Sequence, residues 1–406
     1  MLWIWAIYLV TAPVCLAPPG YPQPSDGLMA IMLITLLTGY FVRPSINPNM
    51  ILCAAPFLTY AALLNLVWFG IKQDPRFVLS ALYYTYNFGA VIFVASLVAA
   101  YGWEDMAGRT KLALVAALGL ELVAVALYQG QAHVEEGVTT RSVGTFSNPN
   151  QMGYWALTAG ACWLVACGDR RLRWMDIAAL GAVLALAAAS LSKAAIIGAA
   201  ALLLAAMWFQ GMSVKLRVIT AVLCLAGSIA AMAEWTAVIE RVTKTDVVTR
   251  LSDIGGQKDD SAAGRGYDRI WLHPEHLVLG AGEGAYNRFY RSAAAGKEMH
   301  STFGTVLYSY GAVGAAMFVL LLLGLFRRAT LRHVAYALPL ALYGLTHQGL
   351  RSTMLWVFMG LVFTYGTHTA RASRFGQPSF APSPSTASAL APVRTGAPAA
   401  VVRGKR

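Results

Sequence analysis

His300 stands where a long polar stretch meets an apolar run, in Gly296-Lys297-Glu298-Met299-His300-Ser301-Thr302-Phe303. An imidazole with an unperturbed pKa near about 6.5 can take a proton from a hydroxyl at neutral pH, which makes His300 the candidate catalytic base. Lys193 lies in Ser190-Leu191-Ser192-Lys193-Ala194-Ala195, a hinge between two apolar runs, and Arg351 lies in His347-Gln348-Gly349-Leu350-Arg351-Ser352. Either cation alone would read as an anchor whose charged head reaches the interface while its stem lies against apolar surface. Together with His300 at a similar depth, they point to a site for an anionic, lipid-linked ligand. Arg265 and Arg269 stand close together in Gly264-Arg265-Gly266-Tyr267-Asp268-Arg269-Ile270-Trp271. Guanidinium groups bind phosphate oxygens through two parallel hydrogen bonds, so such a pair suits a pyrophosphate, and a neighbouring aromatic can stack on a sugar or pack on the membrane. Glu283, in Gly280-Ala281-Gly282-Glu283-Gly284-Ala285-Tyr286, and Arg351 are candidate supporting residues.

The elements that must hold these groups are apolar helices. The chain is 57% hydrophobic and 12% charged, against roughly 25% charged residues in ordinary soluble domains. Continuous apolar runs recur along it, each close to the length that crosses a hydrocarbon core of about 30 Å. Continuous runs exclude a β-barrel, whose strands alternate, and define an all-α polytopic membrane protein. Twelve spans are expected, at 2–17, 27–42, 49–70, 77–100, 111–128, 150–168, 174–191, 194–209, 217–235, 301–326, 334–350 and 352–369. Turn residues separate them, as at Pro18-Pro19-Gly20, Asn47-Pro48 and Asp74-Pro75. Residues 1–235 thus hold nine spans, 236–300 a large outer loop, 301–370 three more spans, and 371–406 a tail rich in Pro, Ala and Ser that is expected to be disordered.

The stretch 236–300 carries nine basic and nine acidic residues of the 31 and 19 in the chain, which concentrates polar chemistry there. Sidedness follows from the short loops. One set holds eleven Lys or Arg (Arg43, Arg109, Lys111, Arg170, Arg171, Arg173, Lys215, Arg217, Arg327, Arg328 and Arg332), with six more in the tail. The other set holds five: Lys72, Arg76, Arg141, Lys193 and Arg351. The basic side is cytoplasmic, so both termini are expected inside and the large loop outside. The net charge of +12 is spread along the chain in this pattern, not gathered in a nucleic-acid-binding patch. Cys15, Cys53, Cys162, Cys167 and Cys224 fall in or beside apolar runs as small core residues. His273-Pro274-Glu275-His276 has no third ligand nearby, and no metal site is expected. The three alternate glycines from Gly280 read as a tight turn; no Lys-Ser or Lys-Thr follows to make them a nucleotide loop.

Four segments in one order resemble the superfamily of O-antigen ligases and O-antigen or exopolysaccharide polymerases, bacterial membrane glycosyltransferases. They are Gly144 to Gln151, with its Asn-Pro-Asn helix entry; the Ser192-Lys193 hinge, where the family usually has Ser-Arg; Arg265 through Tyr286, similar to an Arg…Trp…Gly-x-Gly pattern; and His300-Ser301 through Gly311-Ala312-Val313-Gly314. The resemblance implies an inner-membrane enzyme with a periplasmic loop. It would transfer glycan from an undecaprenyl-diphosphate donor to an acceptor glycan hydroxyl, with inversion and without metal or other cofactor. It assigns His300 to the base, Lys193 to the hinge cation on the diphosphate, and Arg265 or Arg269 to the loop cation; the spacing to Trp271 leaves both open. Lysine at 193 departs from the family and loses the bidentate fork. The implied partners are the lipid-linked oligosaccharide, the glycan acceptor and membrane lipid, with a flippase and chain-length regulator alongside a polymerase and no nucleic acid. The run from Arg265 to Gly284 favours a polysaccharide polymerase over a ligase. A competing reading, a transporter or flippase of lipid-linked oligosaccharide, calls for charges lining the midplane and an internal repeat. Glu121 is the one obvious acid deep in an apolar run, and no hydropathy repeat is apparent.

Overall fold

The computed structural model describes residues 1–17, 23–39, 42–127, 141–211 and 262–374. The expected span 217–235, residues 236–261 of the large loop, residues 129–140 of the loop before the sixth helix, and the tail beyond 374 lie outside the described residues. The site described below belongs to the unit Met1–Thr367; of the second unit, His368–Arg406, only the end of a helix is described.

Every described element is helical. In chain order the α-helices are α1 (Leu2–Thr11), α2 (Pro24–Thr38), α3 (Pro48–Lys72), α4 (Arg76–Tyr101), α5 (Trp103–Leu127), α6 (Pro149–Ala166), α7 (Trp174–Ala189), α8 (Lys193–Gln210), the single turn α9 (Arg269–Leu272), α10 (Thr302–Phe326), α11 (Leu331–Gly344) and α12 (Thr353–Arg374), with short 3-10 turns at Pro274–His276 and Tyr286–Arg288. Five of them, α3, α4, α5, α8 and α10, are long and apolar enough to cross a membrane. Their outward faces are apolar: Leu52, Leu63, Leu127, Leu204, Trp208 and Leu323 are all more than half exposed. Such a surface in water would be an aggregation liability, whereas in lipid it is the solvated face. The chain is an all-helical membrane protein.

Local sequence sets most of the helix starts. Asn47-Pro48-Asn49 and Asn148-Pro149-Asn150 are the same device twice: the first asparagine side chain accepts from the amide two residues on, at 3.0 Å and 2.8 Å. Proline then occupies the first helical position, where no amide is needed. Three expected ends differ by six residues or more. The first helix stops at Thr11 instead of 17. The fifth helix begins at Trp103, eight residues before the expected 111, because Glu104 and Asp105 suit the positive end of the helix dipole and extend it beyond the apolar run. Arg109 and Lys111, expected in a loop, therefore lie on α5, with Arg109 4.0 Å from the Trp3 ring. The eleventh helix stops at Gly344 instead of 350, which leaves 345–352 as an irregular hinge.

Around this hinge the helices pair. α10 runs along α3, α11 along α8, and α6 packs against α7, α8 and α11. α10 is not continuous: Gly311 has φ 66° and ψ −176°. The backbone freed by this break is paired by the polar segment before it. Ala281 and Gly282 donate to Tyr308 and Ser309 carbonyls at 3.0 and 2.7 Å, and Ala312 and Val313 donate to Leu277 and Val278 carbonyls at 2.7 and 3.3 Å. A broken helix at this depth needs just such internal partners. The approach also explains two glycines. A Cβ on Gly311 would fall 2.2 Å from the Val278 carbonyl oxygen, and one on Gly280 2.4 Å from that of Ser309. The segment with the three alternate glycines is thus docked into a helix break, with Gly280 and Gly282 at φ 96° and 67°.

Candidate functional site

The last carbonyls of a helix have no partner within it, and at the end of α11 four in succession are taken up by residues from elsewhere. Ser301 Oγ donates to Gly344 at 3.2 Å, Tyr267 Oη to Leu345 at 2.7 Å, an Arg265 guanidinium nitrogen to Thr346, and the Thr302 amide to His347 at 3.1 Å. This explains why α11 ends where it does. It also fixes Arg265 and His300 together, because the His300 amide donates to the Arg265 carbonyl at 3.0 Å. His300 is exposed and Arg265 half-buried. Ser301, directly after His300, caps α10 by accepting from the Gly304 amide at 3.0 Å.

Tyr343 carries the cluster to the Lys193 hinge. Its ring stacks on Tyr154 and on His347, each at 4.5 Å and 26°, and its hydroxyl donates to the Asn150 carbonyl at 2.8 Å. Tyr343 lies beside Ser192, with Arg141 and Arg265 in its electrostatic surroundings. Arg141 in turn donates to Asn150 Oδ1 at 2.7 Å and to the Ser190 carbonyl at 3.1 Å. Lys193 is the first residue of α8, half-buried, immediately after Ser192. Lys193, Arg141, Arg265, His347 and His300 therefore gather at one end of the helix bundle, around the Asn-Pro-Asn entry of α6.

Arg269 goes elsewhere. It is 1% exposed and donates to the carbonyls of Ala294 and Lys297 at 2.7 and 2.5 Å. Its guanidinium carbon lies 5.0 Å from the Phe289 ring and 5.8 Å from that of Tyr286. Burial pulls its pKa below the ordinary guanidinium value. Such a side chain organises the loop.

Glu283 and Arg351 meet as partners. Glu283 is fully buried; its carboxylate accepts from Arg351 at 3.1 Å and from the Tyr84 hydroxyl. Its amide donates to Asn65 Oδ1 at 2.8 Å. A second carboxylate, Glu298, holds the other arm of Arg351 at 2.6 Å. Burial opposes the charge on Arg351, but Glu283 and then Glu298 outweigh it and hold its pKa well above the usual value. The pair locks the 345–352 hinge to the loop.

Several of these residues escape sequence reading. Arg141 was legible only as one cation of the sparse outer set, and His347 and Tyr343 only as members of an apolar run's end. Arg288 gave no signal at all. It is packed against Trp68 at 4.4 Å and Phe289 at 4.6 Å, donates to the carbonyls of Ala281 and Gly282, and is pulled down to about 10 by burial. His273 and His276 flank Glu275 at 3.3 and 3.8 Å, and among the described residues no three acidic, histidine or cysteine side chains form a metal-ligating group. Glu121 is buried and accepts from the Thr145 amide at 3.2 Å, tying α5 to the approach to α6.

The fold and site define an all-helical membrane protein with a cationic, histidine-bearing cluster at the end of its bundle. No protein-family model matches the chain, and no curated protein sequence matches it.

Proposed function

We propose that the protein is a metal-independent inverting glycosyltransferase of the bacterial inner membrane, with both termini cytoplasmic, twelve spans and the 236–300 loop in the periplasm. It polymerises or transfers undecaprenyl-diphosphate-linked glycan, with polysaccharide polymerase favoured over O-antigen ligase. The observation that carries this reading is the joining of Arg265 and His300 by one backbone hydrogen bond at the capped end of α11. It unites two of the segments on which the resemblance rests, and Tyr343 brings the Asn150 and Ser192-Lys193 segments to the same place.

A diphosphate-linked sugar already has a good leaving group, so the protein must stabilise charge building on the phosphate and orient the acceptor. Lys193 and Arg265 are the cations for the first task, and Arg141 joins them. Arg265 fits better than Arg269, because Arg269 is buried and one of its terminal nitrogens holds two loop carbonyls. His300, exposed beside Arg265, takes the proton of the acceptor hydroxyl as it attacks the anomeric carbon; the lipid diphosphate leaves with the bonding pair. Trp271, 60% exposed and six residues beyond Arg265, offers a face on which an acceptor sugar can stack. Glu283 and Arg351 hold the hinge.

The test is reconstitution. The purified chain in lipid nanodiscs, given an undecaprenyl-diphosphate oligosaccharide alone, should lengthen the glycan and release undecaprenyl diphosphate without added metal. Movement of intact donor between leaflets with no new glycosidic bond would favour the transporter instead. Sidedness has its own assay: a cysteine replacing Ser261 should react with a membrane-impermeant thiol reagent in intact spheroplasts, and protection there would overturn the topology.

A further inference from the structure

Between α10, the loop and the hinge lies a small cavity, about 10 Å³ in volume, lined by residues that include Arg269, Tyr308, Gln348 and Arg351. That is room for about one water or one ion of similar size, and far too little for a diphosphate. Each of these four residues carries a buried polar atom with no hydrogen-bond partner among the described residues: Arg269 Nε, Tyr308 Oη, Gln348 Nε2 and Arg351 Nε. Arg269 and Tyr308 are 1% and 2% exposed. The amide orientation of Gln348 is set by its oxygen, which accepts from the Leu350 amide at 3.2 Å and leaves the NH₂ group as the orphan.

Three of these orphans can only donate, and the fourth, a tyrosine hydroxyl, can do so. Buried donors left without acceptors cost about 1–3 kcal/mol each, and buried charges are held by counter-charges. Arg351 has two carboxylates, but Arg269 makes no ion pair among the described residues, and Arg288, also without one, lies close behind Tyr308. Glu298 also lines the cavity, with one oxygen already on Arg351 at 2.6 Å. A water would accept only two hydrogen bonds, too few for the four orphaned groups. A monatomic anion accepts from every side and supplies the missing negative charge.

We propose that this cavity binds one small monovalent anion, chloride in the cell, held by Arg269, Tyr308, Gln348 and Arg351. The anion fastens three segments together: the loop through Arg269, the broken helix through Tyr308, and the hinge through Gln348 and Arg351. It is distinct from the cluster around Arg265 and His300, so it stands or falls independently of the glycosyltransferase reading.

The experiment is thermal unfolding of the purified full chain in nanodiscs, in sodium chloride against sodium gluconate at equal ionic strength. Chloride should raise the unfolding temperature saturably, and bromide should replace it. Tyr308→Phe loses a donor and no contact with the protein, while Gln348→Glu keeps the acceptor oxygen and puts a repelling charge where the donor was. Each should raise the half-saturating chloride concentration at least tenfold. Equal unfolding temperatures in chloride and gluconate would assign the cavity to water and overturn the proposal. An unchanged chloride dependence in both variants would overturn it too, by placing the anion elsewhere.

Discussion

The main-chain amide of His300 donates to the carbonyl of Arg265 at 3.0 Å. Because the bond is between backbones, it survives any change of either side chain, and the two segments stay together when their chemistry is removed. The Arg265 side chain has a second task, capping the Thr346 carbonyl at the end of α11. The imidazole of His300 is exposed, and the link that His300 shares with Arg265 runs through its backbone amide. Substitutions at the two positions should therefore differ in kind.

The two loop arginines separate by what they hold. Arg269→Met strips donors from the buried carbonyls of Ala294 and Lys297 and should lower stability by about 2–4 kcal/mol, seen as an earlier thermal transition in nanodiscs. Arg265→Lys keeps the charge and should retain most transfer, whereas Arg265→Ala should lose it with the chain still folded. At the hinge, Lys193→Arg should retain function and Lys193→Ala should weaken donor binding. Normal turnover by the double variant Lys193→Ala, Arg265→Ala would reduce both residues to structural anchors.

Glu283 and Arg351 make a prediction about stability alone. Glu283 is 1% exposed at its side chain and Arg351 31%. Removing Arg351 leaves the buried Glu283 carboxylate uncompensated, which costs about 3–5 kcal/mol, whereas removing Glu283 leaves Arg351 its second carboxylate, Glu298, and costs less, as does removing both. Arg351→Met should lower the unfolding temperature sharply and Glu283→Gln less, and the double variant should recover part of the Arg351→Met loss. Strict additivity in that cycle would show that the two residues do not act as a pair.

How far the sequence exposes this architecture depends on distance along the chain. Starts of α3 and α6 are written locally, in Asn-Pro-Asn, and apolar runs mark the bodies of the helices. The end of α11 is not written locally. Its expected span runs to 350, but the donors that terminate it are Arg265, Tyr267, Ser301 and Thr302, more than 40 residues upstream. The break at Gly311 is hidden likewise, since the partners that make it tolerable come from Leu277 to Gly282. Arg269 and Arg265 share a motif, a charge and a neighbourhood in sequence; only packing against Phe289 and the loop carbonyls tells them apart.

A pH effect follows from His276. Its ring is packed against Trp68, Phe289 and Tyr308 at 5.6, 6.0 and 5.8 Å. Burial lowers its pKa, Arg288 and His273 add to the shift, and Glu275 opposes it. The folded protein thus binds a proton at His276 less readily than the unfolded chain does. The stability it contributes is complete above about pH 6.5, the ordinary histidine value, and is lost as pH falls below it. Thermal unfolding measured from pH 7.5 down to pH 5 should decline, and His276→Gln should flatten that decline. A parallel decline in the variant would move the effect to another group.

His300 carries the sharpest test of the chemistry. It is exposed and stands next to the α10 cap, and the bond of its backbone amide to Arg265 does not depend on its imidazole. Loss of a general base costs about 10²–10⁴-fold in rate. His300→Ala should therefore accumulate unextended lipid-linked glycan, with donor affinity and unfolding temperature close to those of the parent. Asparagine separates proton transfer from hydrogen bonding, because it can orient a hydroxyl but takes no proton at neutral pH. His300→Asn should be as slow as His300→Ala, and the parent's rate should fall as pH drops through the imidazole's titration. Near-normal polymer from His300→Asn would remove the histidine from proton transfer and leave Lys193, Arg141 and Arg265 to carry the catalysis through charge stabilisation alone.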